Sequence, residues 1–162
     1  MSNILIIVAA VAAFVISSVI GKFLIPELHR IKFGQPIRDE GPKWHQKKSG
    51  TPTMGGIMFI VAAVLVSVIC YAVLSITEPG ARDFQDHLKF YAGIVMAVLF
   101  GVIGFIDDYI KVVKKHNQGL TEKQKLVLQF LVAIAYVFTL IIGGCSSKTV
   151  IPFAGTIDLG VF

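Results

Sequence analysis

Charge is scarce in this chain. Only 15% of its 162 residues are Asp, Glu, Lys or Arg, 55% are hydrophobic, and the mean hydropathy is +0.77. A water-soluble domain carries about a quarter charged residues, so one soluble core is excluded and a polytopic membrane protein is expected, with lipid against most of its apolar surface. Cysteine is scarce too: Cys70 and Cys145 are the only two. Neither has a neighbour at metal-ligand spacing, so zinc-ribbon and iron–sulfur classes are excluded. Both read as small apolar filler, with a disulfide between them left open. No internal repeat, low-complexity tract or disordered tail is visible, which excludes a solenoid. The net charge of +5 does not point to nucleic acid, because the basic residues cluster between apolar runs, as membrane topology requires.

What is present is a set of long apolar runs. Four are long enough to cross a bilayer: residues 4–25, 54–76, 88–108 and 126–144. No basic residue precedes the first run and Lys22 follows its core, the reverse of a secretory signal, so it reads as an uncleaved anchor with its N-terminus outside. The segment 26–53 carries Arg30, Lys32, Arg38, Lys43, Lys47 and Lys48. Segment 109–125 carries Lys111, Lys114, Lys115, Lys123 and Lys125, whereas the opposite side has only Arg82, Lys89 and Lys148. Positive loops stay in the cytoplasm, so both loops are expected there. The connector 77–87 holds Pro79-Gly80 and reads as a plain turn with His87 in solvent. Short β-prone pieces, Thr149-Val150-Ile151 and Thr156-Ile157, suggest a small hairpin near the C-terminus. The expected fold class is therefore all-α, a polytopic membrane protein with four spanning helices and a short hairpin.

Two stretches carry chemistry. Asp107-Asp108 closes the apolar run 90–106. Carboxylates at membrane depth are expensive and mark function, and at a helix C-terminus the dipole makes them unfavourable unless a cation answers them. The pair calls for a metal ion or for lysines such as Lys111, Lys114 and Lys115. A divalent ion bridging carboxylate and phosphate would suit phosphate chemistry beside a membrane. Neighbouring helical residues point about 100° apart, so the two carboxylates are expected to take split roles. The other stretch, residues 34–56, packs Lys43, His45, Lys47, Lys48, hydroxyls and Gly55-Gly56 against a helix start. Thr53 is the expected N-cap, leaving free N–H groups that favour an anion. A basic loop that merely attracts anionic lipid stays open as the alternative.

Three blocks carry a family resemblance. They are Arg38-Asp39-Glu40-Gly41-Pro42 through His45 and Lys48 to Gly50-Thr51-Pro52-Thr53-Met54-Gly55-Gly56; Gly101-Val102-Ile103-Gly104-Phe105-Ile106-Asp107-Asp108-Tyr109 with Lys111; and Gly119-Leu120 with Lys125. On these the chain resembles the phospho-N-acetylmuramoyl-pentapeptide-transferases, within the polyprenyl-phosphate sugar-phosphate transferase superfamily. The resemblance implies a magnesium-dependent enzyme of the bacterial inner membrane. It would move phospho-N-acetylmuramoyl-pentapeptide from UDP-N-acetylmuramoyl-pentapeptide to undecaprenyl phosphate on the cytoplasmic face, giving lipid I and UMP. It implies Asp107 as base toward the lipid phosphate, and Asp108 as organiser of the diphosphate and as a metal ligand. Lys48, Thr53, Lys111 and Lys125 would bind phosphate or nucleotide, with His45 in support. Membrane lipid is a partner, and a homodimer of the full-length protein is allowed.

The resembled family runs to roughly twice this length, with about ten spanning helices. A third catalytic aspartate, an Asn- and Asp-Gly-rich segment and a histidine cluster are expected in the second half. The chain thus looks like the N-terminal portion of such an enzyme, expected to be inactive alone. The alternatives are another polyprenyl-phosphate sugar-1-phosphate transferase and a non-catalytic lipid-binding membrane protein.

Overall fold

The computed structural model describes residues 2–30, 53–114, 118–146, 148–151 and 155–158. Four helices follow in chain order: α1 (Ser2–Arg30), α2 (Gly56–Thr77), α3 (Phe84–Val113) and α4 (Glu122–Ile142). All four are long and apolar enough to cross a membrane. Strands β1 (Lys148–Ile151) and β2 (Gly155–Asp158) then pair antiparallel, with Thr149 opposite Ile157 and Val150 opposite Thr156. The expected hairpin is present.

Among the described residues each helix packs on the next: α1 on α2, α2 on α3, α3 on α4. The buried apolar set is small and sits at these seams, with Leu28 on α1, Ala62 and Val66 on α2, and Ile103 on α3. Phe14, Phe59, Phe130 and Ile142 remain exposed, as expected where lipid and not water faces the helices.

Several helix limits lie beyond the apolar windows, for identifiable reasons, although α2 begins at Gly56 and not at 54, and α4 ends at Ile142 and not at 144. The first was expected to end at Ile25, where the following proline disfavours helix. α1 instead carries Pro26 and ends on Arg30, a cation at the negative pole of the helix. α3 was expected to begin at Leu88. It begins at Phe84 because the Asp83 carboxylate accepts the Asp86 N–H at 2.9 Å and caps the first turn. α4 starts at Glu122 on a reciprocal cap, in which Thr121 Oγ1 accepts the Gln124 N–H and Gln124 Oε1 accepts the Thr121 N–H.

Two expectations at the α2–α3 connection fail. His87 lies inside α3, and its Nδ1 is 2.7 Å from the Tyr71 hydroxyl. It is therefore a partnered, half-buried side chain and not a solvated one, since Tyr71 stacks on Phe90 and leaves its hydroxyl beside the imidazole. The connector is also more than a plain turn. Arg82 donates to the Leu74 carbonyl at 2.9 Å, a further bond to a carbonyl in the last turn of α2 that also accepts the Glu78 N–H. Cys70 and Cys145 are free thiols, so the disulfide left open from the sequence is not formed.

Close approach between α2 and α3 rests on Gly101. A Cβ there would fall on the Ile60 side chain, whereas Gly93 faces open space. Gly101→Leu should therefore part the two helices and destabilise the fold by about 1–3 kcal/mol. Gly93→Ala should leave stability unchanged or slightly raised. Thermal unfolding in detergent measures both, and equal midpoints for the two variants would refute this packing.

Candidate functional site

The aspartate pair does not end its helix. α3 continues past Asp108 to Val113. The extension is possible because Lys111, one turn on, reaches both carboxylates: its ammonium is 2.7 Å from Asp107 Oδ2 and 3.1 Å from Asp108 Oδ1. Spacings of three and four residues place it on the same helix face. The cation demanded by the dipole argument is thus supplied from within the helix.

The two carboxylates then diverge, as neighbours on a helix must. Asp107 turns toward α4. Its Oδ1 accepts the Leu120 N–H at 2.9 Å, and its Oδ2 takes the Lys125 ammonium at 3.0 Å besides that of Lys111. Its side chain is only 8% exposed. A buried carboxylate is tolerated only when paired and hydrogen-bonded, and three donors meet that condition here. Gly119 lies directly against it, so close that a Cβ would overlap the carboxylate and the Asp107 carbonyl.

Asp108 turns toward the head of α2, where its Oδ2 accepts the Met54 N–H at 3.2 Å. Its side chain is 29% exposed, which decides that it and not Asp107 is the more available acid. Met54 is buried and holds φ +68°, a left-handed backbone that a side-chain-bearing residue rarely adopts. Its hydrogen bond to a charged acceptor offsets part of that strain. The cap of α2 is Gly55, without a side-chain bond, so the expectation that Thr53 caps this helix is corrected. The left-handed turn at Met54 places Gly55 and not Thr53 at the first helical turn. Gly55 and Gly56 both face open space.

Asp107 and Asp108 line one end of a cavity of about 350 Å³ whose walls include Ile57, Ile60, Phe100 and Gly104. Of the residues singled out in the sequence, the structure brings Asp107, Asp108, Lys111 and Lys125 into one cluster, with Thr53 next to Met54 in the chain. His45 and Lys48 lie outside the described residues, as do Lys43, Lys47 and Lys115. The main-chain donors Met54 and Leu120 were not anticipated. No side-chain pattern announces a backbone N–H.

The four side chains carry two negative and two positive charges, and every carboxylate oxygen has an N–H partner. No group of three or more His, Cys, Asp or Glu able to hold a metal occurs among the described residues. By themselves these residues do not fit a resident divalent ion, which needs uncompensated oxygen ligands.

The Asp108–Met54 bond ties α3 to α2 through one charged hydrogen bond, worth about 1.5–3 kcal/mol. Asp108→Ala should raise hydrogen exchange at the Met54 amide by about tenfold or more. Unchanged exchange would show that the bond is not formed in the membrane.

Comparison with known proteins places this geometry in context. Residues 48–60 match the phospho-N-acetylmuramoyl-pentapeptide-transferase signature 1. The chain is 50% identical over 152 residues to the phospho-N-acetylmuramoyl-pentapeptide-transferase of Bacillus thuringiensis strain Al Hakam, covering 93% of this chain and 43% of the relative. It is equally similar to that of Bacillus cereus strain AH187. It is 52% identical over 134 residues to that of Bacillus anthracis strain A0248, covering 82% and 38%. The chain thus spans less than half the length of the curated relatives it matches. At this identity over nearly its whole length, the chain belongs to the phospho-N-acetylmuramoyl-pentapeptide-transferase family.

Proposed function

We propose that this chain contributes the acid–lysine part of a site that transfers phospho-N-acetylmuramoyl-pentapeptide from its UDP carrier to undecaprenyl phosphate. The product is lipid I, with UMP released. One observation carries this reading. At a cavity mouth, a partly exposed carboxylate, an ammonium group and the uncapped head of α2 converge on one place. The positive end of a helix and a nearby lysine favour phosphate oxygens. The predominantly apolar cavity walls suit a lipid substrate approaching from the bilayer.

The proposed roles follow from position. Asp108, the more exposed acid, lies where it would organise the diphosphate. Lys111 sits between both acids and would pass its charge to an arriving phosphate oxygen. Lys125 adds a second ammonium from α4. Thr53, Lys48 and His45 would complete the nucleotide side from the loop before α2. Asp107 has the role of base by resemblance, but it is the more enclosed acid and already holds three donors. Magnesium would enter with the diphosphate, with Asp108 as the available protein oxygen. Loop charges support a multi-pass placement in the inner membrane with this site on the cytoplasmic face.

The test is a chimera in which residues 1–162 replace the matching part of the Bacillus cereus relative. With radiolabelled UDP-N-acetylmuramoyl-pentapeptide and undecaprenyl phosphate, it should form lipid I in a magnesium-dependent way. Asp108→Asn should lower turnover by about a hundredfold or more, because an asparagine cannot carry charge. The chain alone should show no transfer. A chimera that folds but makes no lipid I, or an Asp108→Asn chimera of near-normal rate, would refute the proposal.

A further inference from the structure

Lys111 and Lys125 reach the same carboxylate oxygen by different routes. Lys111 comes from the next turn of α3 and also holds Asp108, so its place is fixed by its own helix. Lys125 comes from α4, its side chain is 40% exposed, and Asp107 is its acidic partner. A lysine stem left to itself samples many rotamers. What brings Lys125 to the pair is therefore the geometry of the α3–α4 turn.

Among the described residues, one main-chain bond ties the end of this turn to α3. The Leu120 N–H binds Asp107 Oδ1, immediately before the Thr121 cap of α4. Gly119 allows it, because any side chain at this position would strike the carboxylate and the Asp107 carbonyl together. One carboxylate oxygen thus holds the turn, while the other holds the lysine that the turn delivers.

We propose that Gly119 and the Leu120 N–H form a seat for the Asp107 carboxylate, and that Asp107, so seated, is a positioning residue that holds the Lys125 ammonium at the acid pair. The purpose of this device rests on the phosphate-transfer reading given above. Its existence does not. Asp107 orders the second ammonium by charge and by direction, and Lys111 stays in place without it through Asp108.

The test uses the chain itself in lipid nanodiscs, without substrate. Lysine acylation by a water-soluble N-hydroxysuccinimide ester is followed residue by residue by mass spectrometry. An ammonium held in an ion pair reacts slowly. Gly119→Ala and Asp107→Asn should each raise the rate at Lys125 by about threefold or more. Lys123, in the same turn of α4, serves as control and should not change, and Lys111 should change less than Lys125. Thermal unfolding is measured in parallel, so that a general loss of structure, which would raise all three rates together, is distinguished. If Gly119→Ala does not fold, Asp107→Asn keeps side-chain volume and carries the same comparison. Lys125 rates equal to wild type in a folded variant, or a rise shared equally by Lys123 and Lys111, would overturn the proposal. Because no turnover is read, failure of the transfer chimera and failure of this seat are separate results.

Discussion

The carboxylate of Asp107 is the contact on which the rest of the site depends. It is a charged group almost removed from solvent, and such a group persists only if its neighbours replace water. Three donors do so: two ammonium groups and one backbone N–H. Each comes from a different stretch of chain, the next turn of α3, the start of α4 and the turn between them. Satisfying one buried charge therefore fixes the relative placement of three segments. Next to it, Asp108 extends the network to the head of α2 through Met54. The charged cluster thus joins one end of α3 to α4 and to the head of α2, whereas at the other end of the α2–α3 seam Tyr71 packs on Phe90 and His87.

This arrangement suits chemistry at a membrane surface. Phosphates need cations and N–H donors, while a lipid carrier needs an apolar approach. Helix ends at the interface offer both, because backbone donors are free there and the apolar flanks begin a turn away. The balance of charge in the cluster is also informative. With two acids and two lysines, it is neutral as it stands, so an anion would draw on the lysines and leave Asp108 to a cation travelling with it.

Much of this was legible in the sequence. Four apolar runs gave the helices, because a spanning segment needs only length and apolarity. The aspartate doublet stood out because charge is rare in such a chain, and Lys111 lay at helical spacing from it. Other features were not legible. The starts of α3 and α4 moved outward because caps at Asp83 and Thr121, not hydropathy, decide where a helix begins. Thr53 looked like a cap until the left-handed backbone of Met54 shifted the start of α2 to Gly55. The partner of His87 was hidden because the tyrosine lies on the preceding helix, across the connector. Lys125 could be assigned to the site only by resemblance. Its pairing with Asp107 depends on the turn at Gly119, which no periodicity reveals.

The most direct measurement of this account is a double-mutant cycle between Asp107 and Lys125, read by reversible unfolding of the chain in detergent with Asp107→Asn, Lys125→Gln and the pair. If the buried carboxylate organises the helix ends as described, the coupling should be about 1 kcal/mol or more. It should persist at high salt, because the acid is shielded from solvent. Additive effects within about 0.5 kcal/mol would contradict the account and reduce the pair to an incidental contact.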